Sequence, residues 1–363
     1  MTPVSIMVLG DVVTDVVVRM REPLALGSDA AASISTHGGG AGGNVAAWFA
    51  AAGAASTLVA RIGDDEAGRM LTGTLADAGI TTALALDPAE PTGTVVVLVD
   101  PSGERSMLPD RGANLRLVPD DVSDEALAAA DHLHVSGYLL LDAQPRPAAQ
   151  HALARAAELG TTTSVDPSSA GPLRHLGPQR FLSLIDGVDL VTPNLDELEV
   201  LTGTRDAAAG AQALTAHCRE VVVTLGARGA LWTDGRSTCT VDARRVDAID
   251  TTGAGDAFLA GYLTARVGGA EPADALAAGI TLASVAVTAP GARPRGNLGG
   301  TPGGVGAGGR PGGGGAVVEA GADAAGGSVG GGGGVVEDGA DAAGGSETPA
   351  AGPGGDDSVG SSP

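Results

Sequence analysis

The chain has 363 residues, 43% of them hydrophobic and only 2% aromatic, with a formal charge of −22; that is enough apolar content for one large core or two modest ones. The charge and the lack of any basic run argue against a nucleic-acid binder, and all 21 cationic residues are arginine, which excludes mechanisms built on a Schiff-base or P-loop lysine. Cys218 and Cys239 have no CxxC or CxxH neighbour, so buried thiols are expected instead of zinc or a disulfide; Met1–Gly10 has no basic leader and no long apolar run, so a cytoplasmic protein without a membrane segment is expected.

Ser5–Leu9 is an apolar run halted by Gly10-Asp11, the pattern of a buried strand ending at a functional edge, and Val12–Val18 resumes as a second strand. Gly38-Gly-Gly-Ala-Gly-Gly43 leads into Asn44–Ala52, alanine-rich and apolar on several sides, which predicts a buried helix ended by Gly53. Leu58–Ile62 predicts a strand, Ala67–Ala78 a helix closed by Gly79, and Thr94–Val99 a β-branched strand turning at Asp100-Pro-Ser-Gly103. A helix over Asp124–Ala130, a strand over His132–Ser136, a helix over Pro147–Leu159 and a strand over Thr161–Val165 follow. Next come a strand at Leu190–Thr192, a helix at Leu195–Leu201, a strand at Val221–Leu225 and a hairpin within Ala230–Val241. Helices over Ala257–Val267 and Pro272–Thr288 close the series. Alternating β and α implies a mostly parallel sheet with helices on both faces, whose ligands gather beyond the carboxyl ends of the strands. Past Arg295 the periodicity stops, and Val317–Ser328 recurs almost unchanged as Val335–Ser346 amid glycine runs. Residues 295–363 therefore read as an acidic low-complexity tail, disordered by composition.

The strongest local signal is Asp250-Thr-Thr-Gly-Ala-Gly-Asp256 at the start of a helix. Consecutive N–H groups there point at one spot and the helix dipole favours negative charge, which suits a transferring phosphoryl group. A carboxylate at the same helix end, that of Asp256, could accept the proton of an attacking hydroxyl. Taken alone, the segment fits a glycine-rich turn capped by aspartate equally well.

Further segments accompany it in order. Gly38–Asn44 with its helix, and Arg61-Ile-Gly-Asp-Asp-Glu-Ala-Gly68, resemble the N-terminal signature of the ribokinase-like family, the PfkB carbohydrate kinases. Thr192-Pro-Asn-Leu-Asp-Glu-Leu-Glu-Val-Leu-Thr-Gly203, Val223-Thr-Leu-Gly-Ala-Arg-Gly229 and Asp250–Asp256 resemble three later family segments. The resemblance spans residues 1–294 and implies a three-layer αβα sandwich with a mostly parallel central sheet. It also implies a small β-lid, from about 11–38 and 91–113.

It further implies ATP and Mg²⁺ as cofactors and assigns roles residue by residue. Asp256 matches the catalytic base, and the backbone of Gly253, Ala254 and Gly255 the anion hole. Asp15, Gly40 and Asn44 match positions that hold sugar hydroxyls, to which carboxylates and amides are suited. Asn194 and Glu197 fall on an Asn-x-x-Glu motif that organises Mg²⁺ through water, though by themselves they also fit a helix cap and a first-turn glutamate. Thr224 and Gly226, with Gly229 following, match a Thr-x-Gly step at the nucleotide. Asp250 and Thr252 match a site for a monovalent cation, K⁺. Arg105 and Arg111 lie in the lid, where either could meet an anionic acceptor, although lid salt bridges are the commoner use of such arginines.

The expected activity is transfer of the ATP γ-phosphate to a hydroxyl of a small carbohydrate, with no nucleic-acid partner and a homodimer formed through the lid. A nucleoside kinase of the same fold is the alternative, disfavoured by seven Phe, Trp and Tyr residues in the whole chain. A non-catalytic sugar or nucleotide sensor would have lost the base or the glycines. One departure concerns Pro294, which leads straight into glycine repeats where relatives complete the adenine-side wall. That leaves the adenine contacts near Thr281–Gly291 open and raises a shifted reading frame for the tail, which the neighbouring frame of the nucleotide sequence would test.

Overall fold

The computed structural model describes residues 2–24 and 26–295, so the expected tail lies outside the described residues from 296 onward. The strands in chain order are β1 (Ser5–Leu9), β2 (Val13–Met20), β3 (Ala32–Gly39), β4 (Ala55–Gly63), β5 (Thr81–Asp87), β6 (Thr92–Val99) and β7 (Arg105–Gly112). They continue as β8 (His132–Ser136), β9 (Thr162–Asp166), β10 (Val188–Val191), β11 (Cys218–Thr224), β12 (Ala230–Thr233) and β13 (Thr238–Val241).

Nine of these form one sheet in the order β13-β12-β11-β10-β9-β8-β1-β4-β5. Neighbours from β5 to β11 run parallel, and only the hairpin β12–β13 adds antiparallel edges. Parallel strands need coverage on both faces, and β1 shows how the sequence supplies it. Ile6 and Val8 point into one core and Met7 and Leu9 into the other, as the two-residue side-chain period requires. The first core is closed by the helices Ala41–Ala51, Ala254–Val267 and Pro272–Ala286, through Trp48, Phe49, Tyr262 and Leu276. The second is closed by Arg146–Leu159, Pro178–Leu184 and Leu195–Thr202, through Leu153, Phe181 and Leu198. The result is the expected three-layer sandwich.

The remaining four strands form a second sheet in the order β3-β2-β6-β7. Its segments, 13–39 and 92–112, fall on the two stretches expected to build the lid. One face of this sheet carries Val16, Val18, Ile34, Val96, Leu98 and Leu108 by register, with Ile34 and Leu108 more than half exposed.

Some boundaries move. The helix expected from Asn44 opens at Ala41 with Gly40 as N-cap at φ 88°, and the one expected from Ala257 opens at Ala254. Glycine is a poor helix former, so propensity hides both starts, and burial of the first helix against β1 and β4 outweighs that cost. The helices Ala170–Leu176, Pro178–Leu184 and Ala207–Leu214, and strands β3 and β5, had no expectation. Among the described residues no helix is long and apolar enough to cross a membrane.

Candidate active site

The carboxyl ends of the central strands and the start of the helix Ala254–Val267 enclose a cavity of about 180 Å³. Ser136 ends β8, Asp166 ends β9 and Thr224 ends β11, and Asn194, Glu197, Gly255 and Asp256 also line it. A parallel sheet with helices on both faces leaves its open crevice at this edge.

The glycine turn forms one wall. Gly253 is the N-cap of the helix at φ 75°, and a Cβ there would collide with the carbonyl oxygen of Ala292, so the turn requires glycine. The Ala254 amide donates to Thr251 O at 3.2 Å, which removes it from the anion hole the sequence assigned to Gly253, Ala254 and Gly255. The first-turn amides of Gly255 and Asp256 remain without helical acceptors. The Cβ position of Gly255 is open, leaving its backbone approachable.

Asp256 stands in the first turn of the same helix. Burial, then repulsion from Asp166 and Asp11, pushes its carboxyl up to about 8, against the hydrogen bond from Asn44 and the charge of Arg293. A carboxyl tuned to that range can take a proton from a hydroxyl near neutral pH.

The opposite wall carries two more carboxyls. Asn194 caps the helix Leu195–Thr202, its Oδ1 accepting from Asp196 N–H at 2.9 Å and Glu197 N–H at 3.0 Å. Glu197 returns the bond, Oε2 accepting from Asn194 N–H at 3.0 Å, a reciprocal capping box. The bland and the functional readings of this pair thus hold together, because the cap fixes Glu197 where it faces the cavity. Glu197 is 3% exposed; burial and then the charge of Asp166 hold its carboxyl well above the usual range. Burial raises Asp166 as well, opposed by the Ser168 amide. Two carboxyls raised by burial, with the charge of Asp166 adding to the rise at Glu197, fit a divalent cation, whose charge removes the repulsion. Among the described residues no group of three or more His, Cys, Asp or Glu is placed to hold a metal, which accords with a cation bound mainly through water and phosphate oxygens.

Thr224 closes this wall at the end of β11, its amide donating to Pro193 O at 3.0 Å, with Gly226 exposed in the following turn. Gly229 is buried at φ 101° and a Cβ there would strike Val241 O. It serves the β12–β13 hairpin and does not line the cavity, so the nucleotide contact expected of it is not placed at the site.

Over residues 4–296 the chain matches the family model described as pfkB family carbohydrate kinase. The chain belongs to that family. Its phosphotransfer chemistry, to an alcohol acceptor, is therefore this chain's activity class. The fructokinase of Klebsiella pneumoniae is 33% identical over 306 residues, 79% of this chain and 94% of its own. Adenosine kinase from Sinorhizobium meliloti superposes with a TM-score of 0.74 at 25% identity, covering 82% of this chain and 98% of that one. Arabidopsis thaliana ribokinase, solved with ribose and ATP, gives a TM-score of 0.69 at 25% identity, over 80% and 95% of the two chains.

In this pfkB kinase the lid side of the site holds the remaining expected residues. Asp15 is half-buried beneath the glycine loop; burial pushes its carboxyl up to about 6, opposed by Arg293 and helped by Asp11. Gly40 sets the helix N-cap, and Asn44 is buried in the first turn of that helix, its Oδ1 accepting from Arg293 Nε at 3.1 Å. Arg111 is tied to Asp142 at 2.9 Å and to Asp11 at 3.7 Å, and its guanidinium lies 4.1 Å over the Tyr138 ring. Its charge is thereby already matched, and it ties the end of β7 to Asp11 and Asp142.

The K⁺ expectation meets a guanidinium. Asp250 Oδ1 accepts from Arg105 Nη2 at 2.8 Å and from the Thr252 amide at 2.9 Å and hydroxyl at 2.6 Å, while Oδ2 accepts from Gly291 N–H at 3.1 Å. Arg105 also bonds the Thr252 hydroxyl. Although burial opposes it, these donors hold the Asp250 carboxyl well below the carboxylate range. Both carboxylate oxygens are thereby engaged, and the residues do not fit K⁺.

Sequence reasoning missed Asp166, Ser168, His134 and Arg293. Among the described residues Ser168 is the one non-glycine residue at positive φ, 71°, and it lines the cavity; such strain concentrates at functional sites. An aspartate followed by proline at a strand's carboxyl end is the signal that could have found Asp166.

Proposed function

We propose that this kinase phosphorylates a hydroxyl of a small neutral sugar, with Asp256 as the base. The observation that carries the reading is the placement of Asp256 in the first turn of the helix, lining the cavity beside the free amide end at Gly255. A hydroxyl held by Asp15 and Asn44 would lose its proton to Asp256 as it attacks. The amides of Gly255 and Asp256 would take up charge on the transferring phosphoryl group. Asn194, Thr224 and Gly226 face the nucleotide in this reading. Glu197 and Asp166 would hold Mg²⁺, which would supply Lewis-acid neutralisation of the phosphate charge. Arg105 supplies the positive charge at Asp250 and draws the lid strand β7 onto the loop before Gly253.

Aromatic placement favours a sugar over a nucleoside. Trp48, Phe49, Phe181 and Tyr262 are wholly within the cores, Phe258 and Trp232 are buried, and Tyr138 lies under Arg111. Of the seven, Phe258 reaches the cavity lining, and it is only 5% exposed. Acidic acceptors are disfavoured as well, since Asp11, Asp15, Asp166, Glu197 and Asp256 outnumber the cations about the site. The apolar face at Ile34 and Leu108 supports pairing of two copies through the lid, which sedimentation of Ile34→Glu would test by loss of the dimer. The acceptor is decided by coupled ADP assays over neutral sugars, sugar acids, sugar phosphates and nucleosides; turnover confined to nucleosides would overturn the reading.

A further inference from the structure

One charged side chain reaches the acceptor end of the site from outside every segment that carried the family resemblance. Residues 289–295 leave the helix Pro272–Ala286 and run back over the Gly253 turn. Gly291 N–H donates to Asp250 Oδ2 at 3.1 Å, and Trp48 Nε1–H to Ala292 O at 2.8 Å. This course delivers Arg293 into the glycine loop between β3 and the helix Ala41–Ala51. Its Nε donates to Asn44 Oδ1 at 3.1 Å and its Nη2 to Gly39 O at 2.9 Å.

A guanidinium can be withdrawn from water only where acceptors and space are provided together. The loop provides the space. A Cβ on Gly38 would lie 2.5 Å from Nη1, and a Cβ on Gly43 would lie 2.5 Å from Nη2. Two members of the glycine run therefore make room for an arginine more than two hundred residues away in sequence, which no local reading of the run could supply.

The contact also fixes an orientation. An asparagine side chain has an acceptor at one end and two donors at the other, whereas arginine has donors only. Arg293 therefore holds Oδ1 of Asn44 towards itself and leaves the NH₂ group as the end of the amide open to the site. The charge of Arg293 acts in the same sense on Asp15 and Asp256, favouring the ionised form of both. Asp256 is faced by Asp166 from β9 and Asp11 from beyond β1, which oppose ionisation, and by Asn44 and Arg293, which favour it.

We propose that Arg293 is a positioning residue for phosphoryl transfer: by holding Asn44 Oδ1 it fixes which end of that amide the site meets, and it depends on Gly38 and Gly43 for its place. The proposal rests on the reading of Asp256 as base. Carbon-13 carboxyl NMR on the full chain with labelled aspartate tests it directly, Asp256 being assigned by the signal missing in Asp256→Asn. Loss of a nearby cation and of its oriented donor in Arg293→Gln should raise the Asp256 midpoint by about one unit. Arg293→Lys, which keeps the charge, should move it by less than half as much. Gly43→Ala should displace the guanidinium and match Arg293→Gln, with no further shift in the double variant. In assays with ATP and D-fructose, a sugar the Klebsiella relative's name makes the natural probe, Arg293→Gln should lower kcat at pH 7 about tenfold and leave the KM for ATP within about twofold. A midpoint unmoved within about 0.3 unit in both Arg293→Gln and Gly43→Ala overturns the proposal. If the wild type phosphorylates no sugar, the acceptor reading fails and the titration still decides the role of Arg293. Should Arg293→Gln not fold by circular dichroism, Gly43→Ala and Arg293→Lys carry the same decision.

Discussion

Replacing Asp256 by asparagine should remove activity and add stability at once, and the structure gives the size of both effects. The carboxyl titrates at about 8 in the folded chain against 3.8 for the free side chain. Between those values the folded state holds a proton that the unfolded state has released, so this residue's contribution is fully present below about 3.8 and is lost as pH rises through about 8. At pH 7 the penalty relative to a group that never ionises has an upper bound of about 4 kcal/mol, at about 1.4 kcal/mol per unit. Water at the cleft mouth and local relaxation reduce it, leaving an expected gain of about 1–2 kcal/mol for Asp256→Asn, or roughly 2–5 °C in Tm. The gain should grow from pH 4 to pH 8 and then level off. Loss of the base should lower kcat by about 10²–10⁴ while ATP binding stays near that of the wild type. Coupled ADP release and thermal melts at several pH values measure both. An asparagine variant keeping a tenth of the wild-type kcat refutes the base assignment; one melting below the wild type at pH 8 refutes the electrostatic account.

Other perturbations read the remaining parts of the site. The acid limb of kcat/KM should have an apparent midpoint near 8, since the ionised form of Asp256 is required and its midpoint lies about there; a profile flat from pH 6 to 8 contradicts this. Glu197→Gln and Asp166→Asn should each raise the Mg²⁺ concentration for half-maximal rate at least tenfold. In the wild type that concentration should climb as pH falls, because both carboxyls are held above the ordinary range and protons compete with the ion; rate assays under Mg²⁺ titration at pH 6 and 8 check it. Exchanging K⁺ for tetramethylammonium should leave turnover unchanged, since Asp250 is already bonded to Arg105. Arg105→Ala should cut kcat by about threefold to tenfold through a looser lid, its charge-assisted bonds being worth about 1 kcal/mol each. Loss of activity on removing K⁺ from the wild type would refute the charge substitution.

How far the sequence carried depended on how local each determinant was. The parallel sheet was legible because strands buried on both faces need unbroken apolar runs, as at Ile6–Leu9 and Val221–Val223, and no distant residue can supply those. The capping box of Asn194 and Glu197 was legible for the same reason, all its partners lying within four positions. The short helices at 170–184 were not legible, since they bury little beyond Leu173 and Phe181 and carry no extended period.

Charge matching across the chain was the part no local pattern could give. Asp250 and Thr252 look like open cation ligands until Arg105, 145 residues earlier than Asp250, bonds to the carboxylate. Asn44 reads as a sugar ligand of open orientation until Arg293, 249 residues later, claims its carbonyl oxygen and leaves only its NH₂ end to the site. Both arginines act on residues that the sequence had named, and each changes the chemistry available there: one fills the place of an ion, the other sets which end of an amide the substrate side meets. Residue type and spacing therefore locate such a site, while the direction of its hydrogen bonds and the state of its charges are decided by side chains that only the folded chain brings near.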